Sequence, residues 1–523
     1  MTNRLTERRN SWLILLGLWL LLLLLAGIRP LAVPDEGRYG EIGRWMLVSG
    51  DWLTPRLNGI PFFHKPPYVY WLEASSLATF GVSAWSLRLV AALHAGMMLL
   101  TLYLAARAIA SESIARRAVL MLGTSLSFLV GGQYVNHDMA VAAWIGVAIG
   151  CFAFAFMAAD RPHANLARLG FAACAFGMLS KGLIGVALPG MVLLIWLVAT
   201  RQLKKVLYLP WFSGLALFVL IAAPWFVIAQ QKYPQLLDYM FINHHFKRYT
   251  ATSFNNPQPL WFYLAALGLL FFPWVFLALR QLRYRGTSQT APEPMARPWW
   301  LLCWIWVLAI LLFFSIPNSK LVGYILPVMP PLALLAALGW ERAMARRPAA
   351  SRIFAGVCGL NLVIALVAIT QVGGVTRTGR SEDLSRVLAC AARPSDTIYV
   401  MDGYPYDLPP IAQTNRPLVV LADWPSLRKR AHDGWQRELF EGAEFDAQAA
   451  AVLQSPAVLA EAGRKPGNWF VARTGNRSTE GLAGWKLSFK GAGWLLYQSG
   501  ADLAPEGPKA AEHKGLPGCD QQR

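Results

Sequence analysis

Short polar clusters interrupt an otherwise apolar chain, and each holds side chains able to do acid–base or phosphate chemistry. Asp35-Glu36-Gly37-Arg38 sets two carboxylates directly after a hydrophobic stretch, and Phe63-His64-Lys65-Pro66-Pro67 adds an imidazole and a cation to the same loop. Asn136-His137-Asp138, Ser180-Lys181-Gly182, the dense run Asn243-His244-His245-Phe246-Lys247-Arg248-Tyr249, and Lys320-Leu321-Val322-Gly323-Tyr324 follow. A carboxylate can orient or deprotonate an acceptor, while lysine, arginine and tyrosine steady a departing phosphate. Such a set at a lipid–water boundary suits an anionic, lipid-linked substrate.

Each cluster also has a plainer reading. Adjacent acids on a helix point about 100° apart, so Asp35 and Glu36 do not both face one substrate atom. One of them is expected to hold structure, through Arg38 or Arg44, and acids after a proline also suit a helix start. Lys65, its backbone extended by the two prolines, is open to phosphate binding or to snorkelling along the interface. His64, His244 and His245 are open to holding a divalent metal or to ordinary hydrogen bonding. Asp138 caps a helix or works beside it. Lys247 and Arg248 are candidates for phosphate, arginine by its bidentate fork.

The elements that position these groups are membrane spans. Of 523 residues, 55% are apolar and 15% charged. Apolar runs of about 17–25 residues, the length that crosses a bilayer, recur along the first 370 positions. About eleven are expected, over 11–29, 87–107, 117–133, 139–158, 166–179, 183–199, 207–229, 259–279, 299–315, 321–340 and 352–371. The first has arginines before it and no small-residue cleavage site after it, so it reads as a retained span.

Alternate loops carry Arg4/Arg8/Arg9, Arg107/Arg116/Arg117, Arg161/Arg168, Arg201/Lys204/Lys205, Arg280/Arg283/Arg285 and Arg342/Arg346/Arg347. These are expected to face the cytoplasm. Every unusual polar cluster then falls on the outer side, together with all residues after 373. The formal charge of +19 follows from this loop bias and does not indicate nucleic acid.

The loop 30–86 is rich in Trp, Tyr and Leu and is expected to carry short interfacial helices near 41–48 and 68–73. From about residue 376 the hydropathy falls. Strand-like runs at 397–401, 417–421, 468–472 and 493–497, with a helical stretch from Phe445 to Leu459, predict a small α/β domain. The expected domains are 1–372 with loop 30–86 included, 373–501, and a disordered tail over 502–523. Cys390 and Cys519 lie in this polar part and would be free to pair outside the cytoplasm. No nucleotide-binding glycine loop is present.

Taken together, PDEGRYGEIGRWMLVSGDWLTPRLNGIPFFHKPPYVYW (34–71), NHDMAVAAW (136–144), LSKGLIGVALPG (179–190), PWFVIAQQKYPQLLDYMFINHHFKRY (224–249) and FFSIPNSKLVGYILPVMPPLALL (313–335) resemble the lipid A aminoarabinose transferase family. That family sits within the protein O-mannosyltransferase-like group of polyprenyl-phosphate-sugar-dependent glycosyltransferases. The resemblance spans roughly residues 10–370 and implies a GT-C membrane fold with a periplasmic α/β domain. It implies transfer from an undecaprenyl phosphate-linked sugar to lipid A or another envelope acceptor at the inner membrane, by a monomer among membrane lipids, with no nucleotide cofactor.

By the same resemblance Asp35 matches the catalytic acid, with Glu36 beside it, and Asp138 the second acidic position. Lys65, Arg248 and Tyr324 match carrier-phosphate positions, with Lys181 and Lys320 as further cations. Two departures touch the metal: His64 stands where the family has glutamate, and His244-His245 where a Glu-His pair is common. A protein acceptor, a lipid-carrier transporter and a non-catalytic partner are the rival readings; a transporter would line its spans with polar groups.

Overall fold

The computed structural model describes residues 2–247, 256–283, 295–344, 347–375, 380–430, 434–475 and 482–500. Arg248, Cys519 and the tail 502–523 lie outside them. The chain divides into two compact units. One comprises Met1–Ile28, His64–Val69 and Arg88–Thr370; the other comprises Arg29–Phe63, Tyr70–Leu87 and Gln371–Arg523.

The first unit is helical and polytopic. Among the described residues, Leu5–Leu25, Ala84–Ile109, Asp138–Phe156, Trp211–Lys232, Arg297–Ser315, Val322–Met344 and Ala350–Gln371 are long and apolar enough to cross a membrane. Phe262–Leu270 and Trp274–Arg280 form a pair bent by 115° that counts as an eighth when taken together. The remaining expected spans are helical: Glu112–Gly123 and Leu126–Gly131 are a broken pair, Ala164–Lys181 is a continuous 18-residue helix, and Ile184–Ala199 is shorter.

Close helix approach in this unit depends on small residues. Gly177 and Gly185 lie backbone to backbone, and Gly339 lies against the Leu277 carbonyl. Buried polar side chains in the apolar interior bond to carbonyls at the end of the first helix. Fully buried Arg88 donates to Ala26 O (2.8 Å), and Gln133 Nε2 donates to Leu22 O (2.5 Å).

The second unit is built on a six-stranded sheet in the order β5-β4-β3-β6-β8-β7. Its strands are β3 (Thr397–Met401), β4 (Val419–Leu421), β5 (Leu453–Gln454), β6 (Asn468–Arg473), β7 (Trp485–Lys490) and β8 (Trp494–Ser499). β3 pairs in parallel with β4 and β6, β4 in parallel with β5, and β8 pairs antiparallel with β6 and β7. The near-continuous burial of β6 fits a central strand covered on both faces.

The helix expected over Phe445–Leu459 is not formed. Asp446 Oδ1 accepts from the Gln448 and Ala449 amides (both 3.1 Å), a 3-10 turn follows over Ala449–Val452, and β5 takes Leu453 and Gln454 into the sheet. Pairing with β4 overrides the helical preference of the alanines, and helix resumes only at Val458–Gly463, after Pro456.

Loop residues 29–63 and 70–87 group with the C-terminal part, which differs from the expected boundary at 372/373. They contain the helix Asp35–Ser49 and a hairpin of β1 (Arg56–Leu57) and β2 (Ile60–Pro61). Asn58 and Gly59 take the turn with φ of 56° and 76°, as a two-residue hairpin requires. Specific bonds explain the grouping. Asn58 donates to Leu418 O (2.8 Å) and accepts from Leu418 N (2.7 Å), while Arg56 pairs with Asp446 (2.9 Å). The Gly37 position leaves no room for a Cβ beside the Tyr406 backbone, and Gly442 is packed closer still to the Pro61 carbonyl.

Candidate functional site

In the second unit the helix Asp35–Ser49 opens on Asp35 and Glu36, where two carboxylates complement the helix dipole. Pro34 occupies the cap position, so neither acid serves as a side-chain cap. Asp35 Oδ1 meets Arg38 Nη2 at 2.5 Å, and its side chain remains 41% exposed. Glu36 is fully buried. It pairs with Arg29 through both oxygens and accepts from the Ala32 amide (2.6 Å). A catalytic role for Glu36 therefore does not fit its position: it fastens the entry to the helix and leaves Asp35 as the open acid.

Arg38 is shared. Its Nη1 donates to Glu438 and its guanidinium carbon lies 4.8 Å from the Tyr39 ring centroid. Burial works against its charge, but Glu438, Tyr39 and Asp35 outweigh burial and hold its pKa well above the ordinary arginine value. One turn further on, Arg44 binds Glu41 through two bonds (2.6 and 2.7 Å) and donates to Thr414 O (2.9 Å).

In the first unit three motifs distant in sequence meet. Asp138 is the first residue of Asp138–Phe156 and Lys181 the last of Ala164–Lys181. Each charge has the sign its helix end favours, and the two form a buried ion pair. Asn136 Oδ1 accepts from the Asp138 amide (2.9 Å), and Asn136 Nδ2 donates to the Asp138 carboxylate (3.2 Å). The Lys181 ammonium lies 4.4 Å from the Tyr324 ring centroid. Gly323 is packed so closely on the Asp138 carboxylate that a Cβ would collide with it.

Lys65 is half-buried in the loop Phe63–Pro67. His64 Nε2 lies 3.0 Å from the Tyr239 hydroxyl, and Tyr68 OH lies 3.2 Å from His94 Nε2. Because His94 Nδ1 meets Val90 O at 2.7 Å and must donate there, Nε2 accepts from Tyr68. Lys320 is not available for phosphate: it is 3% exposed and donates to Gln258 O (2.8 Å) and Pro317 O (2.6 Å), which ties the 317–320 turn.

The side chains of His244 and His245 lie outside the described residues. Among the described residues no group of three His, Cys, Asp or Glu side chains converges on a metal position. His64, the one described member of the expected triad, lies against Tyr239. Arg29, Glu438 and Gly323 were not singled out by sequence reasoning.

A family model for dolichyl-phosphate-mannose-protein mannosyltransferase matches residues 12–240. Undecaprenyl phosphate-alpha-4-amino-4-deoxy-L-arabinose arabinosyl transferase 1 of Sodalis glossinidius is 34% identical over 363 residues, 68% of this chain and 63% of that protein. The second such transferase of Pseudomonas fluorescens is 33% identical over 371 residues, 69% of this chain and 65% of that one. The chain is a relative of the aminoarabinose transferases. It spans 63–65% of the length of these two. The crystal structure of ArnT from Cupriavidus metallidurans bound to undecaprenyl phosphate superimposes with a TM-score of 0.78 over 95% of this chain and 98% of that one, at 23% identity. The aminoarabinose transferase fold, helical with a small C-terminal sheet domain, is thus the fold of this chain.

Proposed function

We propose that the chain is an inverting glycosyltransferase that moves a sugar from an undecaprenyl phosphate carrier to lipid A or another envelope acceptor. The work takes place at the outer face of a bacterial inner membrane, with eleven spans and a cytoplasmic N-terminus. One observation carries the reading: the acid opening the first loop helix, matched to the family's catalytic acid, keeps a carboxylate 41% exposed beside a half-buried arginine that it shares with Glu438. The relatives' names supply the donor class.

In the proposed reaction the acceptor oxygen attacks the anomeric carbon from the face opposite the carrier. The bond from that carbon to the carrier oxygen breaks, and the polyprenyl phosphate leaves with the electron pair. Lys65, Arg248 and Tyr324 are assigned to the carrier phosphate, and the Asp138–Lys181 pair holds an ammonium against Tyr324. A phosphate acceptor is already nucleophilic and needs only orientation by Asp35. A hydroxyl acceptor passes its proton to Asp35. The description of the matched family model names a protein acceptor, which makes protein O-glycosylation the second reading.

Mass spectrometry of lipid A, lipopolysaccharide and envelope glycoproteins, with the gene deleted and restored, tests this. The expected result is an increment of one sugar on lipid A that appears only on restoration. An increment confined to a protein selects the second reading. No change in any envelope component would overturn both.

A further inference from the structure

We infer that Glu438, on the helix Trp435–Ala443 of the α/β domain, is a positioning residue for Asp35 that acts through Arg38. The inference rests on the proposed role of Asp35 as the acid that handles the acceptor.

The geometry is a three-part clamp. Arg38 gives Nη1 to Glu438 and Nη2 to Asp35. A guanidinium is a planar fork that closes on a single carboxylate through two parallel bonds when nothing competes. Glu438 takes one prong, so Arg38 meets Asp35 through the other. The Arg38 and Glu438 side chains are 16% and 15% exposed, against 41% for Asp35. The clamp is therefore anchored in the domain and opens at the acid.

Glu438 is itself well anchored. Its helix carries Gly442 against the Pro61 carbonyl of the β1–β2 hairpin, and the Arg437–Glu441 pair (2.5 Å) lies along the same helix. The other titratable groups facing the clamp are Tyr39 on the Asp35 helix, Tyr70 on Tyr68–Phe80, and Tyr406 ahead of Leu408–Ala412, with Glu73 beyond Tyr70 on the same helix. Burial pushes the Tyr70 and Tyr406 hydroxyls up. The C-terminal domain on this account sets the geometry of the loop acid and is part of the catalytic apparatus.

The test is steady-state sugar transfer by full-length protein in detergent, separating kcat from the donor KM for Glu438→Leu, Glu438→Gln and Asp35→Asn. Misplacing a reacting group by about 1 Å costs about 100-fold. Glu438→Leu is expected to lose about 100-fold in kcat with the donor KM within about 3-fold. Glu438→Gln keeps an oxygen for Arg38 but loses the charge, and is expected to show a smaller loss of about 10-fold. Wild-type kcat in Glu438→Leu, or a loss confined to KM, overturns the inference. Should Glu438→Leu fail to fold, Glu438→Gln decides alone, and wild-type kcat there overturns it. Asp35→Asn separates the two levels: an inactive Asp35→Asn beside a fully active Glu438→Leu sinks Glu438 and leaves Asp35 standing, whereas an active Asp35→Asn sinks the reading beneath both.

Discussion

Asp35 and Asp138 each stand as the first residue of a helix and each meet a basic side chain, but they differ in what else reaches the carboxylate. Asp35 shares its arginine with Glu438 and keeps a side chain 41% exposed. Asp138 is enclosed by Lys181, Asn136 and Gly323, with a side chain 11% exposed. The Asp35–Arg38 pair is the more exposed of the two, and exposed pairs contribute about 0–1 kcal/mol, so on the proposed reading Asp35 can serve chemistry at little cost in stability. Breaking a buried pair by removing one partner costs about 3–5 kcal/mol, so the Asp138 carboxylate is committed to holding Lys181 in place. On the proposed reading, the same residue at the same helix position serves as a reactive group in one unit and as a fastening in the other.

The comparison breaks first if the buried pair proves dispensable. Lys181→Met is expected to destabilise the protein by about 3–5 kcal/mol in detergent melts, and Asp138→Asn in the same background to recover most of that. Asp35→Asn is expected to melt within about 1 kcal/mol of wild type. Equal melting of Lys181→Met and wild type would remove the distinction between the two acids. Gly323→Ala comes next: its methyl group must displace the Asp138 carboxylate, with a loss of about 1–3 kcal/mol in the same assay. An unchanged midpoint would mean that the contact gives way freely.

A smaller effect sharpens the picture of the second unit. Glu73 is 1% exposed and packed on Gly43, and burial raises its carboxyl well above the ordinary 4.5. The unfolded chain ionises this group from about pH 4.5 while the folded chain keeps the proton, so stability is full below that pH and falls as pH rises toward the folded pKa. Glu73→Gln removes the penalty. It is expected to melt above wild type at about pH 8, with the gap closing toward about pH 4. A gap that widens on acidification would contradict the assignment.

Hydropathy pointed to the seven described helices that are long and apolar enough to cross a membrane, because a bilayer demands long apolar runs, but it did not foresee the 115° bend within 259–279. The pairing of Asp138 with Lys181 was half legible. Both were singled out as outer-face groups, and a helical hairpin brings the start of one span level with the end of the next. Contacts set by tertiary structure were not legible. Arg38 and Glu438 lie 400 positions apart, and no local pattern links them. Lys320 reads as a free cation until its two carbonyls are seen. The alanine-rich run 445–459 has the composition of a helix, and only its pairing with β4 makes part of it an edge strand. Arg29 carries no local signal in the sequence, yet its pairing with Glu36 leaves Asp35 as the more exposed of two adjacent acids.

The central claim is that Asp35 is the acid on which transfer depends and that its loss does not disturb the fold. The most direct test is a purified Asp35→Asn protein, compared with wild type for sugar transfer to lipid A by mass spectrometry, for binding of undecaprenyl phosphate, and for melting on the same preparation. The account predicts a loss of transfer of about 100- to 10,000-fold, the range of a general base, with carrier binding and melting unchanged. Transfer at the wild-type rate by this variant would contradict it.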